Sequence, residues 1–405
     1  MNSGLSVLVV GAGPVGMAAA ALLAEAGMQV TVLEREAHVS HEWRASTFHP
    51  PTLEHLERLD IVQDMVSQGL IADHYQIRDR ERGLVADFDY KHLRGDTRYP
   101  FRLQLEQYKL VELLTARLAG SDRARVLLGH EVVDLRQDGS GVTVTASIGA
   151  GSSTFHADYV IGADGASSTV RKLLGLQFEG WTYEQRFLLM SMDLPFERYL
   201  PDLCYVNYIA DPHEFVMLLR IPETWRVLVP VPPSMSDEVA RDRLRMRTTI
   251  EQIIGEPVDW QSTRLTQHQL YRIHQRVVAR MREGRVLLVG DAAHVNSPIG
   301  GFGLNSGLHD AFDLALRLER IANGTSERGE AAELDAFSDV RRRVAQTHIQ
   351  RMSEDNTRTL TQADAQSRLM EQERLASIVT DPVQTREWLL NASLINAVRA
   401  QPLGV

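Results

Sequence analysis

Three glycine- and aspartate-bearing segments carry the residues that could do chemistry. The first is Gly11, Gly13 and Gly16, a G-x-G-x-x-G directly after the apolar run Ser6–Val10. The second follows the apolar run Tyr159–Gly162 and runs from Asp164-Gly165 through Ser168 to Arg171. The third, Gly290-Asp291-Ala292-Ala293-His294, follows Val286–Val289 and continues through Pro298 to Gly300-Gly301-Phe302-Gly303-Leu304-Asn305. At the first site Gly11 permits a tight turn and Gly13 leaves room for a pyrophosphate. Gly16 lets a following helix pack close to the sheet with its amides aimed at the anion. Glu34 lies about 20 residues further on, where an acid grips a ribose hydroxyl, and Arg35 beside it is a further candidate for cofactor binding. The Gly290-Asp291 turn brings a carboxylate and open backbone amides up to a bulky anionic cofactor.

These segments need elements to hold them. A strand (Ser6–Val10), a helix over Met17–Ala26 and a strand (Gln29–Leu33) ending in Glu34 make a βαβ unit. Thr52–Leu59 and Leu105–Leu118 have helical spacing, and Glu131–Arg136 and Gly141–Ser147 flank the turn Gln137–Ser140 as a hairpin. From Phe187 to Gln269 the texture changes to strand-like runs (Leu188–Leu194, Tyr205–Ala210, Phe215–Ile221, Trp225–Val231), followed by a charged helix over Ser236–Ile254. A helix is expected over Gly307–Ala322, and residues 331–400 read as a solvated helical cover broken at Asp381-Pro382. The chain thus reads as α/β, a Rossmann-like nucleotide domain (1–72, 104–182 and 270–330) with an inserted, mostly antiparallel sheet (73–103 and 183–269). A helical C-terminal region (331–405) completes it.

Composition narrows the function. At 405 residues the chain is long enough for two packed regions. Its net charge of −10 and lack of a basic block argue against nucleic acid as a partner. The single cysteine, Cys204, excludes a disulfide framework and a thiolate metal cluster, so no metal site is expected. The nucleotide-binding strand begins almost at the N-terminus, which leaves no room for a signal peptide. Glycines and Glu25 interrupt the apolar start, so membrane insertion is not expected either. A cytoplasmic protein is the expectation, with a homodimer left open.

Together the three segments resemble the flavoprotein monooxygenases typified by para-hydroxybenzoate hydroxylase. That family carries G-x-G-x-x-G, then D-G-x-x-S-x-x-R, then G-D-A-x-H-x-x-x-P with glycines and an Asn, in the order met here. The resemblance implies that Gly11, Gly13 and Gly16 cradle the FAD pyrophosphate and that Glu34 binds the adenosine ribose. Arg44 would reach the flavin phosphate and ribityl region, and Gln107, just before a helix, would touch FAD. Asp164 would support both FAD and the passing nicotinamide cofactor. Asp291 would bind ribityl or phosphate oxygens, while Pro298, Gly301, Gly303, Leu304 and Asn305 would line the isoalloxazine ring. His294 is given a packing role. There is one complete dinucleotide fingerprint, so NADH or NADPH would dock transiently without a domain of its own.

The implied reaction is NAD(P)H-driven hydroxylation of a phenolic or heteroaromatic molecule by O2, through a flavin C4a-hydroperoxide. The inserted sheet offers Tyr205, Asn207, Tyr208, His213 and Met217, with Tyr271 and His274 at its exit, as groups that could handle the substrate hydroxyl. Strand alternation puts Tyr205 and Asn207 on one face and Tyr208 on the other, and Tyr205 is the favoured base. Arg226 resembles a family arginine near the flavin edge, and Pro298 marks the reacting edge. Leu219 and Ile221 fall where the hydroxybenzoate enzyme grips a carboxylate, which points to a more apolar substrate. Two alternatives share the N-terminal fold or its cofactor: an FAD-dependent reductase or dehydrogenase, and a non-catalytic flavin-binding protein.

Overall fold

The computed structural model describes residues 4–39, 45–211, 215–360 and 364–401. Its nucleotide half is a six-stranded sheet. The strand order is Arg282–Glu283, Val286–Leu288, Tyr159–Gly162, Ser6–Val10, Gln29–Leu33, Ala124–Leu127. All neighbours are parallel except the edge pair Arg282–Glu283 with Val286–Leu288. The central strands are near-continuous Val, Leu and Ile because helices cover the sheet and little of their surface meets water. Helix Pro14–Glu25 buries every residue from Gly16 to Ala24, and helix Phe302–Ala322 packs along it. The first, second and third segments end three strands of this sheet. All three strands run in one direction, so the segments gather at one edge, the carboxyl ends of the strands, where ligands of such sheets bind.

Element boundaries moved where local chemistry was ambiguous. The helix expected from Met17 begins at Pro14, since proline suits the first helical turn. The helix expected from Gly307 begins at Phe302, so the glycine-rich run Gly303–Gly307 is helical rather than a loop. Packing on the first helix overrides the weak propensity of those glycines. The charged helix over Ser236–Ile254 is two, Asp237–Ala240 and Arg243–Ile254, each capped by its own side chain, Ser236 and Asp242. The hairpin gains a third strand, Gly151–Ala157, whose polar, mostly exposed sequence hides it.

The second sheet has eight strands. Their order is His294–Val295, Leu265–Val278, Phe178–Met192, Trp225–Val231, Val216–Arg220, Val206–Ala210, His74–Asp79, Gly83–Asp89. It is antiparallel except where Val206–Ala210 meets His74–Asp79. Two strands are long enough to cross the expected borders at 182/183 and 269/270, so the sheet reaches back to Phe178 and on to Val278. One face packs Leu188, Met190, Leu218 and Val227 against helix Arg243–Ile254. The other packs Phe187, Tyr208, Met217 and Leu228 against Ile299 and the C-terminal helices. The short strand His294–Val295 belongs to this sheet, so the third segment ties the two sheets together. Residues after 329 form helices Glu330–Val344, Arg351–Leu360, Ala365–Ile378, Pro382–Ala392 and Ile395–Ala400, joined to the first by a π-helical stretch, Ala345–Gln350. Among the described residues no helix is long and apolar enough to cross a membrane.

Candidate active site

The nucleotide end is built around Glu34. Its carboxylate accepts from the Ala12 amide at 2.7 Å and from the Glu36 amide at 3.0 Å, so it braces the glycine loop as well as ending the strand. Gly13 is the residue that opens helix Pro14–Glu25, and it offers no side chain to cap the first amides. An uncapped start of a 12-residue helix leaves those donors and the positive end of the helix dipole for an anion. Arg35 is exposed and turned to Glu36. Arg44 lies outside the described residues. Because Glu34 braces the glycine loop and ends the strand where a ribose is expected, Glu34→Ala should weaken FAD binding about 10- to 100-fold, by the loss of charge-assisted hydrogen bonds. Flavin fluorescence titration of the apoprotein checks this, and unchanged affinity would remove Glu34 from the site.

The second and third segments are bonded to each other. Asp164 accepts from the amides of Thr169 and Val170 and from the Ser168 hydroxyl, and Ser168 in turn caps the helix at Arg171. Arg171 then donates to the Ala292 carbonyl at 2.9 Å, across to the third segment, and lies over the Phe178 ring. On the other side the fully buried Asp310 accepts from the Gly290 amide (2.9 Å), His294 Nε2 (2.8 Å) and Arg341 Nε (2.7 Å). Burial pushes the Asp310 carboxyl up, but the His294 and Arg341 charges outweigh it and hold the carboxyl below its ordinary range. His294 is therefore a structural hydrogen-bond partner, and Asp291, beside it in the turn Gly290–Ala292, points to the exposed side.

The segment Pro298–Asn305 closes against residues 45–56. Asn305 is completely buried, and its amide is fully employed. Its Oδ1 accepts from the His49 amide and the Thr52 hydroxyl, and its Nδ2 donates to the carbonyls of Thr47 and Gly301. Its side chain therefore shapes the segment and is not turned to a cofactor. Gly301 begins helix Phe302–Ala322 with no side-chain cap, so a second helix start presents open amides, those of the turn holding Gly303 and Leu304. His49 donates from Nε2 to the Gly300 carbonyl (2.9 Å) and stacks on Phe302. Gln107 is the first helical residue of Gln107–Ala119, and its amide bonds the Ala45 carbonyl; Glu106, not Gln107, occupies the cap position.

Three histidines, the buried His49 and His309 and the half-buried His55, stand behind this segment. Burial is the main cause that lowers each, with Arg102 acting on His49, and His55 and Arg341 acting on His309. His55 falls to about 4. The unfolded chain, with ordinary histidines near 6.5, takes up protons that the folded chain refuses. Stability is thus complete above pH 6.5 and lost as pH falls toward 4, at about 1.4 kcal/mol per histidine per pH unit. Denaturant unfolding between pH 7 and 4.5 should show a steep fall, and a flat profile would contradict neutral burial.

The face of the eight-stranded sheet toward Ile299 is the wall opposite this segment. Arg226 projects from strand Trp225–Val231 on that face, only 4% exposed. Burial lowers its pKa to about 10, against the Tyr271 and Glu106 charges that favour the cation. Tyr271 sits beside it, its own pKa raised by burial. Tyr205 does not join them. It is 40% exposed and shares its alternation with Asn207 and Ile209, and Ile209 packs on the opposite face with helix Arg243–Ile254. Tyr208 is the tyrosine that faces the site side, where its hydroxyl meets Arg102 at 3.4 Å. Strand alternation separates the two tyrosines but gives neither a direction, and the packing of helix Arg243–Ile254 on the opposite face is what turns Tyr208, not the expected Tyr205, toward the Ile299 side. Leu219 packs on the inward face, and Ile221 is buried beyond the strand end. His213 lies outside the described residues, and His274 pairs with the Thr182 hydroxyl at the sheet exit. Neither His49 nor Arg102 is marked by a sequence motif, since their contacts lie with residues distant in the chain.

Residues 4–352 match the model of a family described as FAD binding domain. The chain is 33% identical to para-nitrophenol 4-monooxygenase of Pseudomonas sp. strain WBC-3 over 396 residues, 97% of this chain and 96% of the relative. It is 34% identical to 6-hydroxy-3-succinoylpyridine 3-monooxygenase of Pseudomonas putida over 358 residues, 87% of this chain and 88% of the relative. Among solved structures, p-nitrophenol 4-monooxygenase from Pseudomonas putida DLL-E4 superposes with a TM-score of 0.90 at 30% identity, covering 97% of this chain and 99% of that one.

Proposed function

Because the chain belongs to the FAD-binding family of class A flavin-dependent aromatic monooxygenases, we propose that it hydroxylates a small para-substituted phenol or a hydroxylated heteroaromatic ring, consuming NADH or NADPH and O2. The observation that carries the substrate class is the inward sheet face. It is apolar through Phe187, Met217, Leu219 and Leu228, and its polar groups include the buried Arg226, Tyr208 and Tyr75 and the half-buried Tyr271. Such a wall suits an aromatic ring with one ionisable substituent. The relatives' acceptance of a nitrophenol and a hydroxypyridine supports the same reading. They also favour monooxygenation over reductase activity and over flavin binding without catalysis.

The residues fit FAD: two uncapped helix starts, an acid at the ribose position and an exposed aspartate on the glycine turn lie at one edge of the sheet. When bound there, FAD supplies the redox chemistry between NAD(P)H, O2 and the aromatic ring. The protein's own part is to position and to exclude water. In this reading Gly11, Gly13 and Gly16 receive the pyrophosphate, Glu34 with Arg35 the ribose, and Asp291 the ribityl chain. Gln107, Asp164 and Arg44 contribute further cofactor contacts. Pro298, Gly301, Gly303 and Leu304 face the ring, with Asn305 holding that segment in shape. Arg226 and Tyr271 stand at the ring's edge. The C-terminal helices, packed on the same inward face, keep the site dry. The reading is tested with FAD-loaded protein and a panel of phenols, phenylpropionates and hydroxypyridines, scored for hydroxylated product per NAD(P)H consumed. Product formation coupled to substrate-stimulated oxidation is expected. NAD(P)H oxidation that no aromatic compound accelerates would sink it.

A further inference from the structure

Arg102 is among the largest fully buried side chains of the molecule, 2% exposed. It sits on the short strand Arg102–Gln104, which pairs with Thr47–Phe48, the strand leading into His49. Its guanidinium is held by hydroxyls and a carbonyl rather than a carboxylate. Nε donates to the Tyr90 hydroxyl (2.5 Å), Nη1 to the Tyr208 hydroxyl (3.4 Å) and Nη2 to the Ala392 carbonyl (3.2 Å). The Tyr75 ring lies against it at 4.7 Å. Among the described residues it has no acidic partner. The cluster instead keeps it firmly protonated despite burial.

A buried cation without a counter-ion is costly, and the cost falls when an anion docks. Hydrogen-bond capacity is also left over: a guanidinium has five N–H groups, and only three are engaged here. The Tyr208 hydroxyl accepts from Nη1, which leaves its own proton to donate. Position supplies the rest. Tyr208 belongs to the inward sheet face, whereas His49 is tied to Gly300 and Phe302 in the segment assigned to the ring, and the Arg102 charge is close enough to depress His49. Arg102 therefore spans the two walls between which an aromatic substrate would lie.

We propose that Arg102, with the Tyr208 hydroxyl, is the site that receives the substrate's phenolate oxygen, so that the enzyme selects ionised phenols over their neutral ethers. The inference rests on the aromatic-hydroxylase reading and adds the group that anchors the substrate. Arg226, two strands away from Tyr208 in the sheet, is left for the flavin edge.

The test is equilibrium binding to FAD-loaded protein, read as the flavin difference spectrum, at a pH where 4-nitrophenol is ionised. 4-Nitrophenolate and 4-nitroanisole are compared on the wild type, on Arg102→Met and on Arg102→Lys. The wild type should prefer the phenolate about 10- to 100-fold, as expected for hydrogen bonds to a charged group. Arg102→Met should bring the two ligands within about threefold, with FAD affinity unchanged, and Arg102→Lys should retain part of the preference. A wild type that binds the ether as well as the phenolate overturns the proposal, and that comparison stands even if Arg102→Met fails to fold. A preference that survives in Arg102→Met overturns it as well. If the FAD-loaded wild type binds neither ligand and no other ring of the panel, the aromatic-hydroxylase reading falls with it.

Discussion

Gly16→Ala is expected to give a protein that no longer holds FAD and unfolds in markedly less denaturant. A Cβ at residue 16 would stand 2.1 Å from the Gly11 carbonyl oxygen and 3.2 Å from the Ala163 side chain. Neither neighbour is a flexible tip, so the first turn of helix Pro14–Glu25 must lift from the sheet, at a cost of about 3 kcal/mol or more. That movement displaces the amides a pyrophosphate would use. Gly13→Ala separates the two causes. A Cβ there meets no protein atom within 4 Å, and the backbone at φ −71° accepts alanine without strain. Its fold should survive with a loss of about 1 kcal/mol, while FAD affinity drops at least tenfold, because the space is kept open for the cofactor. Unfolding curves and flavin titration of both variants decide the matter. A Gly16→Ala protein that retains FAD with an unchanged unfolding midpoint would contradict the close approach.

Asp310→Asn is the second large effect. The carboxylate holds Gly290 from the strand end, His294 from the linking strand and Arg341 from the C-terminal region, with essentially no exposure. Asparagine keeps the shape but removes the charge, leaving the Arg341 guanidinium buried without its partner. Breaking a buried pair in this way costs about 3–5 kcal/mol. The turn that presents Asp291 loosens at the same time, so flavin affinity should fall with stability. The sign of the pH dependence follows from the lowered carboxyl. In the native protein this group contributes stability above the ordinary aspartate range, about pH 4, and that contribution is lost as the carboxylate protonates in more acid solution. Asp310→Asn should therefore be least stable relative to wild type near neutrality, and the difference should shrink in acid. Equal stability at pH 7 would mean that Arg341 finds compensation elsewhere.

These two cases also mark how far the chain could be read. The strand–glycine turn–helix unit that carries Gly16 and Glu34 was legible because such a turn is local: its glycines, its strand and its helix lie within about 30 residues of one another. The FAD-binding fold, the inserted sheet and the helical C-terminal region were legible for the same reason, through runs of apolar residues with a clear period. Asp310, Arg341, Arg171 and Arg102 were not legible as partners. Each acts on atoms distant in sequence: 31 positions separate Asp310 from Arg341, 121 separate Arg171 from Ala292, and 106 separate Arg102 from Tyr208. No periodicity encodes such meetings.

By itself the sequence determined the cofactor class and the order of the elements that hold it, since close backbone packing around a pyrophosphate demands particular residues at fixed spacing. Only the tertiary structure decided which sheet face each tyrosine takes, and hence that Tyr208 rather than Tyr205 lies on the face packed against Ile299. Alternation along a strand defines two faces but gives neither a direction. The choice came from helix Arg243–Ile254 covering one face and from Ile299 with the C-terminal helices covering the other.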